Sequence, residues 1–428
     1  MLIEYTVKNF RSFRDEVVLS MVADKNRELA DSNTFQVGDT NLLKVAALYG
    51  SNASGKSNLI ESFRFFGFLF RPGAITKKTL SDLPYFRLNA EGKDKPISYE
   101  ISFFLNGVRY RYGIEVDSDG ICSEWLYFVP KRQEACYFER DRDQITRTGT
   151  YFKDKKALQY IKPDSTRPFL FTLAQDSVRK FDWAKSIVDY FRFYIRSSDM
   201  PETFFKNMMD DEIACKSDSG IISKDEVVSY LRLADSGITD VSVIEKNAED
   251  DELIEQLTEF VKQRGAKIEF ERERWETFFH HAKYDNDKLV GDEKFPLRAE
   301  SRGTFKLYCM LYPILCVLKK GGVLLVDEIE SSLHPLLCEK IVQVFNSSKT
   351  NPRNAQLLFT THNTFLMNRH LLRRDQIYFV EKDDYGASDL YSLYDVDLDI
   401  RSNFNYEDNY LAGRFGAIPY VSDFCSTK

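Results

Sequence analysis

The chain opens with two stretches in which apolar and polar residues alternate, MLIEYTVKNF and EVVLSMV, and period-two alternation marks half-buried strands. A mostly apolar run, LLKVAALYG, passes into a glycine loop and then into SNLIESFRFFGFLF, whose apolar spacing is helical. Between residues 97 and 150 the pattern shortens to ISYEISFFLNGVRYRYGIEVD, CSEWLYFVP and ACYFERDRDQITRT. The turn pairs Asn106-Gly107 and Asp119-Gly120 separate them, which predicts an antiparallel meander.

From 151 to 235 helical spacing dominates, as in SVRKFDWAKSIVDYFRFYI and KDEVVSYLRLAD. DSGITDVSVIEK reads as a turn and a strand. The charged stretch DELIEQLTEFVKQRGAKIEFERERWETFF reads as helical, with too few heptads for a long coiled coil and enough for a modest arm. Beyond Phe295 the spacing predicts a helix over 304–319, the strand GGVLLVDE, the helix HPLLCEKIVQVFN, the strand AQLLFTTH, a short helix and the strand QIYFVEK. Strands alternating with helices imply a mainly parallel sheet. The expectation is an α/β fold with an antiparallel β subdomain and an inserted helical arm, divided as 1–150, 151–285 and 286–428.

With 428 residues, the chain exceeds a single hydrophobic core. Hydrophobic content of 43% and charged content of 29% fit a globular protein, and a net charge of −7 offers no basic coat for nucleic acid. Cys122, Cys136, Cys215, Cys309, Cys316, Cys338 and Cys425 form no C-x-x-C and no zinc spacing with histidine, so reduced thiols are expected. No leader-like start and no apolar run of membrane length is visible, which points to the cytoplasm.

GSNASGKS, Gly50 to Ser57, fits G-x-x-x-x-G-K-[ST] between a strand and a helix. Gly50, Ser51, Asn52, Ala53, Ser54 and Gly55 would wrap backbone N–H groups around phosphates, and the helix start adds its dipole. Lys56 would reach the β- and γ-phosphates, Ser57 would ligate Mg²⁺, and ATP is the implied nucleotide. GGVLLVDEIE ends a strand in Asp327-Glu328: Asp327 is placed to hold the metal through water and Glu328 to act as general base. Glu330 reads as structural. His362, ending LLFTTH beside that strand, is placed to contact the γ-phosphate, whereas His334 reads as a loop contact and His280, His281 and His370 carry no functional signal. The helix beginning in ESRGT has an anion-suited start, Ser301-Arg302-Gly303-Thr304, far from the glycine loop.

The order NFRSF, GSNASGKSN, ESRGT, LLVDEIESSLHP, TTHN resembles an ABC-type ATPase head of the SMC/RecF class, and more closely the bacterial AAA15/AbiLi-like (RloA-type) ATPases of abortive infection. The resemblance implies two heads sandwiching ATP, with Ser301 and Gly303 of one on the γ-phosphate held by the other. It places Arg11, Phe13 and Asn58 near the nucleotide. Arg302 would add charge there or face solvent. Ser-Arg-Gly-Thr replaces the transporter sequence Ser-Gly-Gly-Gln, so transporter-like coupling is not implied. A Q-loop glutamine is hard to place, with Gln133 and Gln175 as candidates.

The leading expectation is therefore a nucleotide-driven dimerising switch in antiphage defence, controlling a separate effector such as a Toprim-type nuclease. A nuclease of the OLD type is an alternative, suggested by Glu381 and Asp395-x-Asp397, although too few residues separate them for Toprim crossovers. A RecF-like DNA clamp is the other, drawing on Lys131, Arg132, Arg140 and Arg142, which are interleaved with Glu134, Glu139, Asp141 and Asp143.

Overall fold

The computed structural model describes residues 1–198, 201–214, 220–233, 237–246, 274–397 and 404–419. Cys215, Cys425, nearly all of the charged stretch read as an arm, and the end of the tail YLAGRFGAIPYVSDF lie outside them. In chain order the strands are β1 (Leu2–Lys8), β2 (Val17–Ser20), β3 (Thr34–Val37), β4 (Thr40–Leu43) and β5 (Val45–Tyr49), then the meander of β6 (Ile97–Leu105), β7 (Val108–Asp117), β8 (Gly120–Val129), β9 (Ala135–Asp141) and β10 (Gln144–Thr148). They continue as β11 (Ile195–Ser197), β12 (Ile238–Glu245), β13 (Trp275–Asp285), β14 (Lys288–Pro296), β15 (Val323–Val326), β16 (Gln356–Thr360), β17 (Ile377–Lys382) and β18 (Ser388–Ser392). Two compact units result: Met1–Ser198 with Lys320–Ser331 and Cys338–Lys428, and Asp199–Lys319 with Ser332–Leu337.

The first unit holds two large sheets. One is antiparallel throughout, ordered β10-β9-β8-β7-β6-β1-β2, so the N-terminal strands extend the meander. The other is ordered β11-β15-β16-β5-β17-β18 and is parallel except for its last pair. Its central strands β5, β15 and β16 are buried at every position, which is why they read as continuous apolar runs rather than alternations.

The helix Lys56–Phe68 buries Leu59, Ile60, Phe63 and Phe66. Phe63 stacks on Tyr5 of β1 at 3.6 Å between centroids, and Phe66 meets Tyr112 of β7 and Phe191 edge-on. Each such ring contributes roughly 1.5–3 kcal/mol by burial, so the helix after the glycine loop is anchored by its own aromatic face. Buried polar groups complete the frame. Gln356 on β16 accepts from the Leu2 amide at 2.6 Å and donates to the Leu2 and Leu43 carbonyls, stitching β1 to the parallel sheet. Glu124 on β8 caps the helix Phe169–Gln175, accepting from the Phe169 and Leu170 amides at 2.6 and 2.9 Å, and pairs with fully buried Arg140 at 3.2 Å.

The second unit carries the antiparallel sheet β12-β13-β14 and the helices Glu202–Ala214, Lys224–Leu233 and Arg302–Lys320. Asp210, fully buried, joins the first and last of these helices to β13: its carboxylate accepts from Lys206 at 2.9 Å, from Thr277 of β13 at 2.7 Å and from Tyr308 of the last helix at 2.7 Å. His280 bridges the three strands, with Nε2 2.9 Å from Ser242 Oγ and Nδ1 2.7 Å from Asp292 Oδ2.

Three local expectations change. Ile195–Ser197 leaves the anticipated helix, which ends in a wide turn over Tyr190–Tyr194, and pairs in parallel with β15 at the edge of the sheet. WETFF belongs to β13, its aromatic alternation outweighing the charged helical sequence before it. The described part of the middle segment is thus partly sheet, and residues 286–319 cluster with the second unit rather than with the C-terminal strands.

Candidate functional site

The glycine loop leaves the end of β5, at the centre of the parallel sheet, and β15 and β16 end on the same side. That edge is where open α/β sheets present their sites. Gly50 and Gly55 adopt φ of 155° and 119°, and a Cβ on Gly50 would lie 2.3 Å from the Val380 carbonyl oxygen, so glycine is required on steric grounds. Lys56 is 5% exposed, and its ammonium donates to the Gly50 and Ser51 carbonyls at 2.9 and 3.0 Å. Burial lowers its pKa, while the carboxylates Asp327, Glu328 and Glu330 act in the opposite direction.

Ser57 at the helix start and Asp327 at the end of β15 meet, Oγ donating to Oδ1 at 3.0 Å. Thr360, ending β16, donates to the same Asp327 oxygen at 2.5 Å and accepts from the Glu328 amide at 2.7 Å. Glu328 has a φ of 51°, an uncommon conformation for a non-glycine residue that costs on the order of 1–3 kcal/mol, and its side chain is exposed directly after the buried strand. Glu330 accepts from Thr361 Oγ1 at 2.7 Å and from the His362 amide at 2.5 Å, and so fixes the backbone that presents His362. The His362 pKa is lowered, first by burial and then by Lys56, against the pull of Glu330, Glu328 and Asp327, which favours a neutral imidazole.

Lys56, Ser57, Asp327, Glu328 and His362 are therefore brought to one edge of one sheet. The early loop meets the start of the following helix through Arg11 and Ser12, both at Asn58. Phe13 is fully buried in the apolar core, whereas Ser12 accepts from Asn58 Nδ2 at 2.7 Å. Arg11 lies 3.4 Å from Asn58 Oδ1 and 3.5 Å from Glu61.

Ser301, Arg302, Gly303 and Thr304 belong to the second unit. Ser301 Oγ accepts from the Thr304 amide at 3.1 Å, capping its own helix, and Arg302 pairs with Glu202 at 2.8 Å. Glu300 is held by His281 Nε2 at 2.8 Å, a partner with no sequence signal. His334 Nδ1 accepts from the Leu336 amide. Gln133 is exposed in the β8–β9 turn and Gln175 at a helix end, and no described contact links either to the glycine loop.

The alternatives fare differently at their own residues. Arg140 and Arg142 are paired with Glu124 and Asp117, and Glu134 and Glu139 with Arg111 and Arg147, so half of those eight charges are neutralised in place. Glu381 accepts from Tyr391 on the neighbouring antiparallel strand, and Asp395 accepts from Ser392 in its own turn.

Whether nucleotide and Mg²⁺ suit the site is tested by its own groups. The Ser54 hydroxyl is buried with no hydrogen-bond partner among the described residues, an orphan polar group within the glycine loop. Ser57 and Asp327 supply two hard oxygen ligands side by side, as Mg²⁺ prefers. The residues fit both groups.

Residues 45–368 match the family described as "AAA domain, putative AbiEii toxin, Type IV TA system". The chain belongs to this family. The matched span includes the glycine loop, Asp327-Glu328 and His362, so this member of the AAA-domain family is of the P-loop ATPase type, an α/β head with an antiparallel β subdomain. A comparison with curated proteins finds no match. Solved structures similar to this family member over 91% of its length include an SMC head domain from Thermotoga maritima, at 13% identity, 98% of that chain and a TM-score of 0.43. An SMC head bound to the C-terminal winged-helix domain of ScpA is similar at 16% identity, 97% of that chain and 0.46. An SMC head with an extended coiled coil, bound to a ScpA C-terminal domain derived from Pyrococcus furiosus, is similar at 15%, 96% and 0.40. At these scores the likeness carries no functional argument. Among the described residues no helix is long and apolar enough to cross a membrane.

Proposed function

We propose that the chain binds ATP with Mg²⁺ and hydrolyses it, and that two copies closing on the nucleotide form a cytoplasmic switch controlling a separate effector in antiphage defence. The observation that carries the chemistry is the 3.0 Å meeting of Ser57 and Asp327, with Glu328 next in the chain and exposed. Lys56 exchanges its loop carbonyls for phosphate oxygens, and Ser54 gains the partner it lacks. Ser57 directly, and Asp327 through water, would hold Mg²⁺, which would supply positive charge to the β- and γ-phosphates. Glu328 takes the proton of the attacking water, and neutral His362 donates a hydrogen bond to the γ-phosphate. Ser301 and Gly303 of a second copy complete the site in this reading. The family description names a putative AbiEii toxin of a type IV TA system, which supports a defence role; kinship with AAA15/AbiLi-like ATPases and a Toprim-type nuclease as effector are part of the same proposal.

The test is steady-state hydrolysis by Glu328→Gln. The reading predicts ATP binding within a few-fold of the unaltered chain and a kcat lowered by about 10² or more. Unchanged kcat with nucleotide bound would remove Glu328 from the mechanism.

A further inference from the structure

The β17–β18 hairpin reaches the glycine loop from behind. Ser388, the first residue of β18 and 5% exposed, uses both its polar groups: its hydroxyl donates to the Ser54 carbonyl, and its amide donates to the Ser12 carbonyl at 2.7 Å. Ser12 in turn receives Asn58 Nδ2 from the helix that follows the loop. Gly55 lies wedged between the two serines, since a Cβ there would fall 2.4 Å from Ser388 Oγ and 2.7 Å from Ser12 Oγ. The turn before Ser388 is itself fixed, with Asp383 Oδ1 accepting from the Tyr385 and Ala387 amides at 2.9 and 2.7 Å and Asp383 facing Arg14 at 3.3 Å.

These contacts join three segments far apart in sequence at one point behind the cradle. We propose that Ser388 is a positioning residue for the phosphate loop: through the Ser54 carbonyl and Ser12 it holds the Gly50–Ser57 backbone in the shape that receives the triphosphate. The loop contains one residue with a side chain in a strained conformation, Ala53 at φ 62°. A buried donor on the Ser54 carbonyl opposes relaxation of that backbone. Ser388 touches no phosphate, so its removal weakens nucleotide binding and leaves Glu328 and Asp327 in place for the chemical step. The proposal rests on reading Gly50–Ser57 as the ATP site.

The experiment is titration of the full chain with a fluorescent methylanthraniloyl-ATP and Mg²⁺, beside steady-state kinetics and thermal melting. The variants are Ser388→Ala, Ser388→Cys, Ser12→Ala, Lys56→Ala and, as a control on the same strand, Ser392→Ala. The expected result is about ten-fold weaker binding and a raised KM for Ser388→Ala, with kcat within about two-fold and the melting temperature of the control. Ser388→Cys, a weak donor, restores part of the affinity. Binding by Ser388→Ala equal to that of the unaltered chain overturns the proposal, as does weakening that Ser392→Ala reproduces through equal loss of stability. If Ser388→Ala fails to fold, Ser388→Cys decides by the same comparison; Ser12→Ala removes the Asn58 contact alone, since Ser388 meets the Ser12 backbone carbonyl. Nucleotide binding that survives Lys56→Ala instead overturns the ATP-site reading, and the proposal with it.

Discussion

At the scale of single residues, the site is organised by pairs rather than by isolated side chains. Thr360 divides its hydroxyl between the Asp327 carboxylate and the Glu328 amide, and Glu330 holds the backbone of His362. His362 has its pKa lowered by burial and by Lys56, so it takes up a proton only below the ordinary histidine value of 6.5. If the neutral ring serves the γ-phosphate, kcat is level near neutrality and falls on the acid side as the ring charges. His362→Ala should lower kcat by about 10²-fold and abolish that acid limb, read from a pH series of kcat. An acid limb of unchanged position and depth in the variant would assign it to another group.

At the scale of elements, the helix Arg302–Lys320 depends on contacts its own sequence does not reveal. Its apolar spacing announced the helix. Asp210, nearly a hundred positions away in sequence, carries no local signal of this role. Asp210→Ala would leave Tyr308 and Thr277 without their acceptor and Lys206 without its counter-charge. A loss of about 3 kcal/mol is expected, seen as roughly hundred-fold faster amide exchange along that helix. Exchange unchanged within a factor of two would show that packing alone holds it. The same contrast runs through the fold. The glycine loop, Asp327-Glu328 and the buried strands were legible because loop chemistry and apolar runs are local properties. Ile195–Ser197, Ser388, His281 and the Ser12 contact were not, because each acquires its role from a partner brought close by folding.

At the scale of the molecule, the phosphate loop lies in one compact unit and Ser301–Thr304 in the other. In the proposed switch each copy offers both halves, and the complete site forms only when two copies meet. Ser301→Arg should therefore leave ATP binding to one head nearly intact yet abolish closure and hydrolysis. The most direct measurement is the solution mass of the Glu328→Gln chain by light scattering, with and without ATP and Mg²⁺, alone and combined with Ser301→Arg. The account predicts that ATP doubles the mass of Glu328→Gln and that Ser301→Arg prevents this. A mass that ATP does not alter, in a chain shown to bind it, would contradict the switch.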